Sequence, residues 1–419
     1  MFSKKIRSFG DMDIVATHAR HVLTLFSGGL DSSYALKELA RRGCRVTAMA
    51  VDVGDGVDQD DLQAIASHFG AEIEVVDARE DFVQGGVIPA IQAQAKYLGI
   101  YPISSSLTRP IMAMHAVHMA KQRGCDAIIH TANQSQNSLR RLNGAISRLG
   151  FSGWYGTPYE FSALSREDKI TALAAAGLSR FQARGISGDA NLWVREFESG
   201  ALDNPEAFWV PDSLYKWTAP VDHEVAPDIR LRFEKGVPMV LNGQQLPVID
   251  IVQALNNQAG AYGVGRYCGL EHIDAGEKVL EVREAPAATI LMDAYRHLET
   301  ACVDYEVLRE KTHQEQIWVR EAIEGRWFGR MREAAQQFIS HSAQQVTGTV
   351  SYRLRPGAAD VCSIVADAPM YLTDRDAWEK SIAQERGRTT LAMPHLDRGR
   401  AADRSGEGAQ AAKELEVLA

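Results

Sequence analysis

Between residues 22 and 130, short apolar or β-branched runs alternate with stretches whose apolar positions recur at helical spacing. Residues 22–26 read as a strand and 32–42 as an amphipathic helix; residues 46–51 and 58–69 repeat the pair. The beat continues with a strand at 71–76, helices at 82–97 and 110–123, and a strand at 127–130. Strands alternating with helices build βαβ units, so the expected fold class is α/β with a doubly wound parallel sheet. In such a sheet ligands bind beyond the carboxyl ends of the strands, and the loops after Phe26, Val51 and His130 are expected to meet there.

Past residue 178 the rhythm changes to mixed strands and longer helices. This places a nucleotide-binding domain at 1–178, a second α+β domain at 179–380 and a C-terminal tail at 381–419. Within the second domain, residues 248–259 read as a helix stopped by Gly260. Pro286 suits the opening of a helical region reaching 337, with one break near Gly325. From residue 387 onward Arg, Gly, Ser, Ala and Glu dominate, which suits a mobile tail or a helical oligomerisation arm.

Composition narrows the class of function. A chain of 419 residues exceeds what one hydrophobic core usually supports, in keeping with two domains. Apolar residues at 45% and charged residues at 24% suit a soluble protein, and no apolar run reaches membrane-spanning length. The first twenty residues carry Lys4, Lys5 and Arg7 without a following apolar block, so neither a signal peptide nor an anchor is expected, and the cytoplasm is the expected location. Five scattered cysteines form no C-x-x-C pair. A net charge of −9 disfavours nucleic acid as a partner and favours small molecules.

The strongest chemical signal is Ser27-Gly28-Gly29-Leu30-Asp31-Ser32-Ser33, lying between the first strand and its helix. Two glycines let the backbone approach phosphate closely. The amides from Gly29 to Ser33 open a helix, and three hydroxyls add donors. Asp31 among them would repel a bare phosphate, but suits a Mg²⁺ ion bridging phosphate oxygens. The loop lacks the lysine of the G-x-x-x-x-G-K-[ST] phosphate loop, so cleavage between the α- and β-phosphates is expected rather than transfer of the γ-phosphate. An ordinary Gly-Gly turn with a Ser/Asp cap is the alternative reading of the same string. The expected ATP contacts are Phe26, Ser27, Gly28, Gly29, Leu30, Asp31, Ser32, Ser33, Val51 and Thr131, with Asp31 and Ser32 placed at the reaction and Asp31 as the metal ligand.

This string resembles the PP-loop of the N-type ATP pyrophosphatases. Several later blocks resemble argininosuccinate synthase in order and spacing, across residues 20–375. They are Y-P-I-S-S-S-L-T-R-P from Tyr101 to Pro110, N-L-W at Asn191 with Glu198 and Gly200, L-D-N-P from Leu202, Tyr215-x-Trp217-Thr218, and G-V-G-R from Gly263 with Glu271, Glu284 and Pro286 downstream. The resemblance implies MgATP-dependent adenylation of a ureido oxygen, displacement of AMP by an amine, and a homotetramer. It also implies substrate contacts at Tyr101, Ser105, Ser106, Asn133, Asn137, Ser138, Arg141, Ser187, Glu196, Glu271 and Arg283.

Two regions depart from that family. Its loop G-x-T-G-K-G-N-D-Q-x-R is here Thr131-Ala132-Asn133-Gln134-Ser135-Gln136-Asn137-Ser138-Leu139-Arg140-Arg141, so Ser138 replaces the aspartate that would hold the incoming amine. Glu196 and Arg283 stand where the family has Ser and Tyr, and their opposite charges suggest a pair across the pocket. Three functions remain open on this basis: the family reaction with citrulline and aspartate, the same adenylate chemistry on a related substrate pair, and a catalytically silent nucleotide-binding regulator.

Overall fold

A computed structural model describes residues 4–181, 186–219, 228–273 and 276–388. The chain opens with strand β1 (Lys5–Ile6), helix α1 (Phe9–His18), strand β2 (His21–Leu25), helix α2 (Leu30–Arg41), strand β3 (Arg45–Asp52), helix α3 (Gln59–His68) and strand β4 (Glu72–Asp77). Helices α4 (Arg79–Phe82) and α5 (Ile88–Gln92), a hairpin of β5 (Lys96–Tyr97) and β6 (Tyr101–Pro102), and helix α6 (Ser105–Arg123) follow. Strand β7 (Ala127–Ile129), helix α7 (Ser138–Arg148), strand β8 (Trp154–Gly156) and helix α8 (Arg166–Ala175) complete this part.

Six of these strands form one all-parallel sheet in the order β1-β8-β7-β2-β3-β4. Both faces are covered, as a parallel sheet requires. Val22, Ala48 and Ala50 pack against Met12, Leu36, Leu39 and Ile65 on one side. Leu23, Met49 and Ile128 pack against Val117, Leu142 and Ile146 on the other. The sheet is doubly wound, as the alternating pattern implies. The chain runs outward from β2 through β3 to β4 and returns to β7 on the opposite side of β2, so the crevice lies between β2 and β7.

Two expected helices need correction. The one expected over 82–97 stops at Gln92 and passes through a π-helical turn at Val83–Val87. Gly85 and Gly86 weaken that turn and Pro89 lacks the N–H that would bond back to Gly85, so the wider winding and an early end result. The helix expected from Pro110 begins at Ser105. Proline there removes one helical hydrogen bond in the second turn and keeps a helical φ, so it does not mark the first residue.

The remainder of the described residues holds two antiparallel sheets. Strands β9 (Ser187–Ala190), β10 (Arg195–Glu198), β14 (Arg266–His272) and β15 (Lys278–Glu284) form one, in the order β14-β15-β10-β9. Strands β11 (Asp228–Glu234), β12 (Val237–Leu241), β13 (Gln244–Gln245), β16 (Gly348–Arg355) and β17 (Ala358–Ala366) form the other. Helices α9 (Val248–Gly260), α10 (Pro286–Cys302), α11 (Tyr305–Ile323) and α12 (Arg330–Ala343) pack with them, and α13 (Arg375–Arg388) ends the described chain.

The long helical region is thus broken twice and runs to Ala343. The unforeseen break falls at Asp304, whose carboxylate accepts from the Glu306 amide at 2.8 Å and restarts the helix. The break near Gly325 has a second cause. Its φ is +71°, and a Cβ there would lie 2.6 Å from the Arg140 carbonyl.

The largest core draws Phe82, Ile88, Ile91 and Leu107 into one cluster with Phe233, Leu255, Leu291, Trp318 and Tyr352. Segment 78–111 therefore packs with elements from beyond residue 178. Of the tail expected over 381–419, residues 381–388 belong to α13, and 389–419 lie outside the described residues.

Candidate functional site

A cleft of about 910 Å³ opens at the carboxyl ends of β2, β3 and β7, and its far wall is the β14-β15-β10-β9 sheet. At the sheet end it is lined by Phe26, Ser27, Gly28, Gly29, Leu30, Asp31, Ser32, Val51 and Thr131. Gly28 takes φ +69°, a conformation that favours glycine, and a Cβ there would sit 2.6 Å from Leu62 Cδ2 and oblige that side chain to move. Gly29 caps α2. The hydroxyls turn inward: Ser32 Oγ donates to the Gly29 carbonyl at 3.1 Å, and Ser33 Oγ donates to the Gly28 carbonyl at 3.4 Å. Ser33 is buried behind the wall.

Asp31 pairs with Lys169 of α8, with Nζ 2.5 Å from Oδ1. The Lys169 ammonium also lies 5.3 Å from the Tyr159 ring centroid, and Tyr159 Oη donates to the Asp31 carbonyl. Nothing local in the sequence marks this lysine, because 138 residues separate the partners. Across the crevice, burial holds His130 at the end of β7 down to about 4, against the hydrogen bond its Nε2 donates to Asn143 Oδ1, so its imidazole is neutral at pH 7.

The far wall is built by period-two alternation. On β10, Glu196 and Glu198 face the cleft, while Phe197 packs with Leu202, Leu280 and Val282 behind it. On β15, Glu281 takes the same face as Arg283. Cross-strand register brings Glu196 opposite Arg283 on one side and opposite Asp189 of β9 on the other. The charged-apolar alternation of Glu196-Phe197-Glu198 and Glu281-Val282-Arg283 is the signal that could have marked Glu198 and Glu281, neither of them an expected site residue.

Glu271 is the hub of the buried network. Its Oε1 accepts from Asn137 Nδ2 at 2.9 Å and Arg141 Nη2 at 2.9 Å, and its Oε2 accepts from Arg283 Nη2 at 3.0 Å and Tyr101 Oη at 3.2 Å. Burial by itself would raise this carboxyl. Arg141, Arg283 and the hydrogen bonds overcome it and hold Glu271 at about 2.

The neighbouring acids lack that support. Burial pushes Glu196 up to about 7 although Arg283 lies 3.3 Å away. Burial likewise raises Glu281 well above the usual carboxylate range, with Arg283 at 3.6 Å, and raises Glu198 against a hydrogen bond from Gln136 Nε2 at 3.1 Å.

Several expected substrate contacts are therefore engaged within the protein. Arg141 donates through Nε to the Ile323 carbonyl at 3.0 Å and through Nη1 to Ser105 Oγ at 2.8 Å, besides its Glu271 contact. Ser138 Oγ accepts from Arg109 Nε at 3.1 Å, and Arg109 Nη2 pairs with Asp189. Arg283 stacks 4.2 Å from the Tyr101 ring centroid. Ser105, Asn137, Ser138, Arg141, Ser187, Glu196 and Glu271 reach the cleft wall, whereas Tyr101, Ser106, Asn133 and Arg283 lie outside its lining.

Other motif residues prove to be braces. Asn191 links Ser104 to the Trp193 and Val194 amides. Glu284 accepts from the amides of Lys216, Trp217 and Thr218, and Arg266 donates to Thr218 Oγ1 at 2.9 Å and covers the Tyr215 ring.

A Ser-Gly-Gly loop at the switch point of a parallel sheet, facing a second domain that supplies charged side chains, defines a synthetase of the PP-loop class. The N-terminal HUP-domain model of argininosuccinate synthase matches residues 21–177, and the C-terminal-domain model matches 186–392. An argininosuccinate synthase of Dictyoglomus turgidum is 32% identical over 359 residues, covering 84% of this chain and 89% of that protein. One from Rubrobacter xylanophilus is 33% identical over 362 residues, covering 85% and 88%. A solved NMN synthetase from Francisella tularensis aligns with 42% of this chain and 72% of its own, at 15% identity and a TM-score of 0.31.

The chain belongs to the argininosuccinate synthase family. It is an ATP-dependent ligase that forms C–N bonds between small molecules. Among the described residues no helix is long and apolar enough to cross a membrane.

Proposed function

We propose that this enzyme activates a ureido or carboxyl oxygen as an adenylate and then passes the activated carbon to an amine, on a substrate pair related to, but different from, citrulline and aspartate. In the first step the substrate oxygen forms a bond to the α-phosphorus and pyrophosphate departs with the electrons of the broken P–O bond. In the second the amine nitrogen bonds to the activated carbon, AMP leaves with the C–O electrons, and the nitrogen gives up a proton. The observation carrying this reading is the placement of the Ser27–Ser33 loop and the charged β-sheet wall on opposite sides of one cleft.

The chain's own residues then have distinct tasks. The Gly28–Ser33 turn is suited to hold the two outer phosphates, with Val51 and Thr131 bordering the nucleotide. A Mg²⁺ ion bound with the nucleotide would neutralise phosphate charge, and Asp31 suits it, because magnesium at nucleotide sites commonly takes one or two carboxylates plus phosphate oxygens. Asp31 is partly exposed to the cleft, and Lys169 would have to yield or share it. Lys169, which is not among the cleft-lining residues, would then act by positioning Asp31. No covalent nucleophile is required, since in-line positioning and charge neutralisation carry such a transfer.

Divergence in substrate is supported by the loop from Asn133 to Ser138 and by the Glu196–Arg283 pair. A neutral Ser138 holds an ammonium more weakly than a carboxylate does, by about 1 to 2 kcal/mol. Citrulline with aspartate is the competing pair, favoured by the family relationship. The deciding assay incubates enzyme, MgATP and labelled pyrophosphate with citrulline and with other ureido and carboxyl compounds, then adds amines. Rapid turnover of citrulline with aspartate would remove the divergent reading, and accumulation of ADP and orthophosphate would remove the adenylate. The proposed assembly is a homotetramer acting in the cytoplasm, to be checked by light scattering and cell fractionation.

A further inference from the structure

We propose that the donor substrate is an ω-ureido alkylamine of net positive charge, without the carboxylate of an amino acid, and that its cationic nitrogen seats among Glu196, Glu198 and Glu281. The inference rests on the adenylating-ligase reading above and names the substrate class of that site.

The wall offers acceptors that lack donors. Glu196, 8% exposed, has an Oε2 that accepts no hydrogen bond among the described residues, although Arg283 is 3.3 Å away. Asn137, 9% exposed and one of the cleft-lining residues, independently holds a buried, unpartnered Oδ1, while its Nδ2 is fixed by Glu271 and the His272 carbonyl. A buried acceptor without a donor is costly, and these two call for a ligand rich in N–H groups. An ammonium supplies three donors.

The cations at this end are already engaged. Arg141 is held by Glu271, Ser105 and Ile323; Arg109 by Asp189 and Ser138; Arg283 by Glu271 and the Pro102 carbonyl. These three guanidiniums face five carboxylates, namely Asp189, Glu196, Glu198, Glu271 and Glu281. A substrate carboxylate entering here would find these guanidiniums already held by protein partners and would meet the carboxyl groups of Glu196, Glu198 and Glu281 instead. A cationic group would instead let the buried acids ionise, and burial's upward push on Glu196 and Glu281 is the mark of that missing charge.

The full-length enzyme with MgATP is assayed for pyrophosphate exchange using N-carbamoylputrescine, citrulline and n-butylurea. N-carbamoylputrescine is expected to exceed both others by about 100-fold in kcat/KM, the effect of one well-matched buried charge. Glu281→Gln should raise the KM for N-carbamoylputrescine about tenfold more than the KM for n-butylurea. Burial already favours the protonated form of Glu281, so the amide suits the fold. Calorimetry with a non-hydrolysable ATP analogue should show tighter binding of N-carbamoylputrescine than of citrulline, with proton release to buffer at pH 6.5.

Citrulline equal to or better than N-carbamoylputrescine in exchange would overturn the inference and leave the ligase reading intact. Absence of exchange with all three would strike ureido donors from the adenylating reading. The binding comparison would then decide the inference by itself, and affinity for N-carbamoylputrescine no greater than for citrulline would overturn it.

Discussion

Glu196 and Arg283 lie in register on neighbouring antiparallel strands, with the guanidinium Nη2 3.3 Å from the carboxylate Oε2. The same nitrogen is 3.0 Å from Glu271 and 3.6 Å from Glu281, so one arginine serves three buried acids. It satisfies Glu271 and leaves Glu196 and Glu281 short of positive charge. The site is thus prepared for charge brought in from outside.

That imbalance has a stability signature. Glu196 is raised to about 7 in the folded protein, so its favourable contribution is complete below the unfolded value of 4.5 and is lost as pH rises through 7. Glu196→Gln removes the titration. Its Tm relative to wild type should therefore increase from pH 5 to pH 8, as measured by scanning calorimetry without ligands.

Glu271 has the opposite sign. Held at about 2, it contributes stability above 4.5 that is lost as pH falls toward 2. Glu271→Gln leaves Arg141 and Arg283 without their shared counter-charge and should cost about 3 to 5 kcal/mol in urea unfolding at pH 7, a deficit that narrows below pH 4.

The Asp31–Lys169 pair should matter to the nucleotide rather than to the fold. Asp31→Ala is expected to lower pyrophosphate exchange by at least about 100-fold, and Lys169→Ala by a similar factor, with little change in Tm. A loss of folding in either variant, seen by circular dichroism, would point to a structural pair instead.

Ser138→Asp tests the loop. A new carboxylate there would lie beside Arg109, whose Nε is 3.1 Å from the serine oxygen. Exchange with the donor should stay within about threefold of wild type, while the preferred amine changes. Loss of exchange would show that the loop serves the donor or the nucleotide.

The parallel sheet was legible because its strands are short apolar runs separated by amphipathic stretches, and both periods are local properties. The Ser27–Ser33 turn was legible for the same reason, its glycines and hydroxyls being contiguous. The π-turn at Val83–Val87 and the break at Asp304 were not foreseen. The first depends on how Gly85, Gly86 and Pro89 share hydrogen bonds; the second on an aspartate cap resembling any solvated acid in sequence. Lys169 escaped notice because a lysine on a helix face is ordinarily a surface charge, and its partner lies in another element.

From sequence alone came the α/β class, the phosphate loop, the family resemblance and the suspicion that Glu196 and Arg283 belong together. These rest on neighbours along the chain or on ordered blocks, which linear order preserves. Only the tertiary structure decided that Glu271 binds four protein donors, that Arg141 and Arg109 are internally paired, and that Glu196 and Glu281 face the cleft short of counter-charge. Whether a buried charge is satisfied depends on strand register and on groups more than a hundred residues away. Burial makes each missing partner count, and sequence order carries no measure of burial.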